Sequence, residues 1–85
     1  MSAEAHVTPG DNRFTIALDG QRVGLIDFYD RDGVRVFTHT EIDPAYGGRG
    51  LGTQLVAETV AATRAAGLQI ESYCSMVTHY LAKNP

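Results

Sequence analysis

The stretch PAYGGRGLG, residues 44–52, puts four glycines into nine positions. The run before it, 34–42 (VRVFTHTEI), is β-branched and aromatic, which favours a strand. In the run after it, Leu51, Leu55, Val56, Thr59, Val60 and Thr63 recur at helical spacing, while Gln54, Glu58 and Arg64 fall largely off that stripe. A strand, a glycine-rich loop and a helix over 51–66 therefore follow one another. The first N–H groups of a helix have no intrahelical partner, and the helix dipole favours negative charge there, so this junction reads as an anion site. Absent side chains let a phosphate approach, and Arg49 supplies a charge-assisted contact. A purely structural use, with Gly47-Gly48 as a flexible turn and tight packing at Gly50 and Gly52, is equally compatible with the glycine count.

Two familiar phosphate loops do not fit. The Walker pattern needs a lysine that this loop lacks. The dinucleotide fingerprint spaces its glycines differently and opens a βαβ unit, whereas here strands precede the loop. Residues 14–18 alternate at period two and 22–29 form a second strand, separated by Asp19-Gly20, a tight-hairpin signal. Residues 30–33 (DRDG) turn the chain into the third strand, 34–42. Past the helix, Gly67 sits where a left-handed cap belongs, 68–74 reads as a fourth strand and 76–83 as a short helix.

The expected order is β-β-β-α-β-α, an α/β (α+β) fold with an antiparallel meander followed by a right-handed parallel crossover. The helix then starts at the carboxyl edge of strand 34–42, where open α/β sheets place ligands. Residues 1–13 contain Pro9, Gly10, Asp11 and Asn12 and are expected to be a flexible tail; 14–85 form a single domain.

The totals narrow the class. The chain has 85 residues, 44 % hydrophobic and 20 % charged, with net charge −3. Its single lysine and six dispersed arginines form no basic stripe, which argues against nucleic acid as a partner. No run approaches the roughly 18 apolar residues of a membrane span. The N-terminal sequence lacks a signal-peptide core, and the lone Cys74 rules out an internal disulfide, so a cytoplasmic location is expected. His6, His39, His79 and Cys74 lack metal-ligand spacing, and no metal is expected.

Residues 42–52 (IDPAYGGRGLG) resemble the pyrophosphate-binding motif of the GNAT N-acetyltransferases, apolar-x-P-x-x-R/Q-G-x-G-x-G/A followed by a leucine-bearing helix. Pro44, Gly48, Gly50, Gly52 and Leu55 match it; Gly47 stands where Arg or Gln is more usual. His39-Thr40-Glu41-Ile42, Ala65-Ala66-Gly67-Leu68, Cys74 and Tyr80 extend the resemblance to the very small single-domain branch over about 14–82, although Ser75-Met76 replaces the Pro-Phe that usually follows the cysteine. The resemblance implies that acetyl-CoA is the acetyl donor. Its pantetheine arm would lie between splayed third and fourth strands, and its pyrophosphate on a cofactor set of Ile42, Gly47, Gly48, Arg49, Gly50, Leu51, Gly52 and Thr53. It also implies an amine acceptor. With only Asp19-Gly20 where larger members carry helices, the acceptor cleft is expected to be open or completed by a second subunit, so monomer and homodimer are both allowed.

Acetyl transfer to an amine needs a base within hydrogen-bond reach and a proton for the leaving thiolate. His39 and Glu41, two apart on one strand, share a face and are the base candidates; each is otherwise an ordinary strand-end polar residue. Cys74 is a candidate nucleophile or proton donor, or a buried apolar cysteine. Tyr80 is a second proton donor or a packing aromatic. Three functions are open: an N-acetyltransferase, a non-catalytic acyl-CoA-binding module that retains the cradle, and a small α/β interaction protein whose glycines are structural.

Overall fold

Both hairpin turns follow from their Asp-Gly pairs. Asp19 and Gly20, and likewise Asp32 and Gly33, all adopt positive φ, the geometry of two-residue turns whose twist matches the flanking strands. They join β2 (Arg13–Leu18), β3 (Gln21–Arg31) and β4 (Val34–Ile42) into the expected antiparallel meander. In the computed structural model, which describes residues 4–85, β4 leads through a short 3₁₀ turn, Pro44–Tyr46, into α1 (Leu51–Ala65). β5 (Gln69–Ser72) follows and pairs parallel to β4, and α2 (Ser75–Lys83) ends the chain.

One expectation is corrected. Within the supposed tail, Ala5–Thr8 form a strand, β1, that pairs antiparallel with β2 from Ala5↔Leu18 to Thr8↔Thr15. Ala5 and Val7 pack against the core, so this segment owes its order to the partner strand and not to its own pattern. Residues 1–3 of that tail lie outside the described residues. The sheet thus has five strands in the order β1-β2-β3-β4-β5, a mixed α/β fold of the expected class with one strand added.

α1 lies on one face of the sheet and buries the predicted stripe of Leu51, Leu55, Val56, Thr59, Val60 and Thr63. These meet Phe14, Ile16, Ile26, Phe28 and Phe37, with Val77 of α2 closing the same cluster. α1 ends as its sequence indicates. Gly67 has φ 78, its N–H bonds to Arg64 C=O at 3.0 Å, and Leu68 N–H bonds to Thr63 C=O at 3.2 Å, which together make a Schellman cap. Gly24 on β3 is required for contact: a Cβ there would lie 2.5 Å from Ile42 Cδ1 and 2.9 Å from Glu41 O.

Two irregularities position the site. Asp27 pairs with His39 but Phe28 pairs with Phe37, so Thr38 is an extra residue that bulges out of β4. The bulge reverses the alternation: Phe37 faces the helices, whereas His39 and Glu41 face the opposite, outer side of the sheet beside Asp27 and Leu25. The second is the end of the β4–β5 ladder. Its last pair is Phe37↔Ser72, sealed by Tyr73 N–H to Phe37 C=O at 2.9 Å. Beyond it, among the described residues, 38–42 of β4 have no partner on β5, which leaves a gap in the ladder between the two strands at their carboxyl ends.

Candidate acetyl-CoA site

The loop after β4 is built so that its donors stay free. Asp43 accepts the Ala45 N–H at 3.0 Å and, through its carbonyl, the Tyr46 N–H at 2.8 Å, which fixes the 3₁₀ turn. Gly47 N–H closes that turn on Pro44 C=O at 3.3 Å. Gly47 therefore lines the site, but its donor is already engaged. Gly50 is the N-cap of α1 with φ 77 and offers no side-chain cap. The first helical bond runs from Gln54 N–H to Gly50 C=O at 3.0 Å. Among the described residues, the N–H groups of Gly48 to Thr53 have no protein acceptor. They are the orphan donors of a helix start, together with two loop donors, in the form that suits an anion.

All of these residues except Arg49 border a cleft of about 290 Å³, whose wall also includes Ile42, Tyr46, Gly47 and Met76. A Cβ placed on Gly48 or Gly50 meets no protein atom within 4 Å, so a side chain there would stand in the space over the loop. Leu51 is buried and anchors the helix start to the core, while Thr53 is exposed at the cleft edge. Arg49 turns toward Tyr46, its guanidinium carbon 5.2 Å from the ring centroid, a cation–π contact that keeps its charge beside the loop.

The proposed chemical groups are divided by the sheet. His39 Nε2 lies 3.3 Å from Glu41 Oε2 on the outer face, with side chains 56 % and 63 % exposed. Beside them Arg13 makes a two-pronged ion pair with Asp27, at 2.6 and 3.2 Å, and its guanidinium holds the Asp27 carboxyl below the usual carboxylate range. Cys74 is buried at the N-cap of α2 and meets Thr40 on the helix side, with Sγ 3.1 Å from Thr40 Oγ1. The β5–α2 corner that holds it is tied by Ser72, whose hydroxyl donates to Cys74 C=O at 2.9 Å and accepts from Thr78 Oγ1 at 3.0 Å. Cys74 therefore adjoins the gap, but its side-chain partner is Thr40 and not His39. Tyr80, half-buried, lines a groove between the two helices together with Thr53 and Met76.

Sequence reasoning passed over Thr40 and Met76. Thr40 is legible only once the bulge is known, since the bulge sets which of residues 38–42 face the helices. Met76 lies so close to α1 that a Cβ on Gly52 would be 3.1 Å from its Sδ. Among the described residues, no group of three or more His, Cys, Asp or Glu is placed to hold a metal, and no helix is long and apolar enough to cross a membrane.

No curated protein sequence matches the chain. Several solved structures do. A GCN5-like N-acetyltransferase from Staphylococcus aureus, determined by NMR, superposes with TM-score 0.70 at 27 % identity, covering 93 % of this chain and 79 % of that one. A GNAT family acetyltransferase from Brucella melitensis, in complex with acetyl-CoA, gives TM-score 0.59 at 29 % identity over 66 % of this chain and 40 % of that one. The PaiA N-acetyltransferase of Thermoplasma acidophilum, in complex with coenzyme A, shares the fold at TM-score 0.68 and 16 % identity, over 85 % of this chain and 48 % of that one. The chain thus spans less than half the length of the latter two. A family profile described as GCN5-related N-acetyl-transferase matches residues 13–85, and the chain belongs to that family.

Proposed function

We propose that the protein is a small acetyl-CoA-dependent N-acetyltransferase acting on an amine. The observation that carries this reading is the row of unpaired N–H groups from Gly48 to Thr53, set at the mouth of the gap between β4 and β5. The pyrophosphate rests on those donors. The pantetheine arm enters the gap, where the unpaired backbone of 38–42 offers it an extended edge. The thioester then lies near Thr40 and Cys74, and the amine approaches from the outer face.

His39 is the preferred base. Glu41, 3.3 Å from Nε2, accepts its N–H and orients the imidazole, leaving Nδ1 to take the amine proton. The amine nitrogen attacks the thioester carbonyl, the carbon–sulfur bond breaks, and the CoA thiolate takes a proton. Cys74, which adjoins the gap, is the candidate donor for that proton, whereas Tyr80 lines the groove between the two helices. Direct attack is preferred over an acetyl-Cys74 intermediate, because the Cys74 thiol is buried against Thr40 and shares no contact with His39. Incubation with acetyl-CoA and no acceptor is then expected to leave the intact mass unchanged; rapid addition of one acetyl group at Cys74 would reverse the preference.

A second reading is a non-catalytic acyl-CoA-binding module, favoured by the separation of Cys74 from the His39–Glu41 pair across the sheet. One experiment separates the two. Calorimetric titration establishes acetyl-CoA binding, and thiol release over a panel of amines reports turnover. Binding with acceptor-dependent thiol release supports the transferase, binding alone supports the module, and no binding refutes both. The amine, the oligomeric state and a cytoplasmic location belong to the same proposal.

A further inference from the structure

The cleft over the glycine loop does not end at α1. A second groove, of about 230 Å³, runs between α1 and α2, and the two share Thr53 and Met76 as common walls. A ligand whose middle rests on the loop can therefore extend into this groove. Its lining is unlike the rest of the surface. The chain carries ten acidic residues against seven Lys and Arg, yet the groove lining contains no carboxylate and does contain Lys83, the single lysine of the chain, and His79. Among the described residues, Lys83 makes no ion pair or hydrogen bond. The floor is apolar and aromatic, formed by Val56, Met76 and Tyr80. An apolar, aromatic lining with an uncommitted cation at its far end suits a heteroaromatic ring that carries a phosphate.

Resting on the cofactor reading above, we infer that Lys83, at the far end of the α1–α2 groove, binds the 3′-phosphate of coenzyme A and makes the protein select CoA over dephospho-CoA. With the thioester committed to the β4–β5 gap and the pyrophosphate to Gly48–Thr53, the remaining adenosine leaves the loop on the α2 side. The groove receives it there, with the base against Tyr80 and Met76. The 3′-phosphate, which dephospho-CoA lacks, then reaches Lys83, and His79 stands on the same wall.

The test is calorimetric titration of the full chain with CoA and with dephospho-CoA, for the wild type, Lys83→Ala and Lys83→Arg, at low salt. Wild type is expected to bind CoA about fivefold more tightly than dephospho-CoA, the scale of one exposed charge pair. Lys83→Ala should bind both at the dephospho-CoA level, Lys83→Arg should restore the preference, and all three should share one circular dichroism spectrum. Equal affinities in the wild type, or a preference that survives Lys83→Ala, would overturn the inference and leave the cofactor reading intact. Failure of the wild type to bind either ligand would overturn both.

Discussion

Thr40 and Ile42 of β4 look toward the helices, while His39 and Glu41, interleaved with them, stand in solvent on the other side of the sheet. The first side is assembled from main chain and packed apolar groups: a gap with an unpaired strand edge, a loop whose donors have no acceptor, and a core with Phe37, Ile26 and Leu55 all but inaccessible. The second side is assembled from exposed side chains, with Arg13 ion-paired to Asp27 and His39 Nε2 3.3 Å from Glu41. The difference teaches where each kind of sensitivity resides. Cofactor binding should depend on backbone geometry, and turnover on a few outer-face side chains that contribute little to stability.

The largest effect should come from the core beneath the gap. Phe37, fully buried and edge-on to Phe28 at 6.0 Å, sits at the last rung of the β4–β5 ladder. Phe37→Ala is expected to cost about 3–5 kcal/mol, measured by urea denaturation. A loss under about 1 kcal/mol would mean that the helix side is not the rigid half of the molecule.

The outer face should answer differently. His39→Ala is expected to lower kcat about 100-fold, the low end for general acid–base catalysis, while shifting the unfolding midpoint little, because the side chain is more than half exposed. An unchanged kcat would remove His39 as the base and leave Glu41. A large loss of stability without a rate effect would erase the division between the two faces.

Gly50→Val sharpens the contrast from the binding side. The variant forces a β-branched residue to φ 77 and projects it over the loop. Acetyl-CoA affinity should fall about tenfold or more, equivalent to ~1.4 kcal/mol, in a protein that remains folded by circular dichroism. Arg49→Ala should cost less, since Arg49 rests on Tyr46 and the main donors are backbone.

The smallest effect is acid sensitivity. Arg13 and Arg35 hold the carboxyls of Asp27 and Asp30 below their ordinary values. A depressed folded-state value means that these pairs stabilise the protein above about pH 4 and that this contribution is lost as pH falls through the folded values. Both pairs are partly exposed and screened by solvent, so each contributes little. Asp27→Asn should flatten the decline of the unfolding midpoint between neutral and strongly acid pH; an unaltered slope would mean that the pair is inert.

Much of this was legible in the residues, and what was not has physical causes. The two Asp-Gly turns, strand 34–42, the helical stripe from Leu51 to Thr63 and the Gly67 cap are all set by local chemistry, and local chemistry is written in the sequence. The strand at Ala5–Thr8 is not, because four residues are held only by pairing with β2. The bulge at Thr38 is not either, since an extra residue leaves no mark in a β-branched run. Its consequence is the one that matters for the site. Simple alternation puts Phe37, His39 and Glu41 on one face, and the bulge sends the last two to the other, away from Cys74. The loop itself was legible as an anion cradle, except that the Gly47 donor is spent on closing the turn at Pro44.

The division between a backbone cradle and a side-chain face is tested most directly by amide ¹H–¹⁵N spectra of the protein titrated with acetyl-CoA. The largest shifts are expected at Gly48, Arg49, Gly50, Leu51, Gly52 and Thr53, with smaller changes along 38–42 and little at Asp27 and Tyr29 on the outer face. Shifts concentrated on Asp27, Tyr29 and Tyr73, with the loop amides unmoved at saturating ligand, would contradict it.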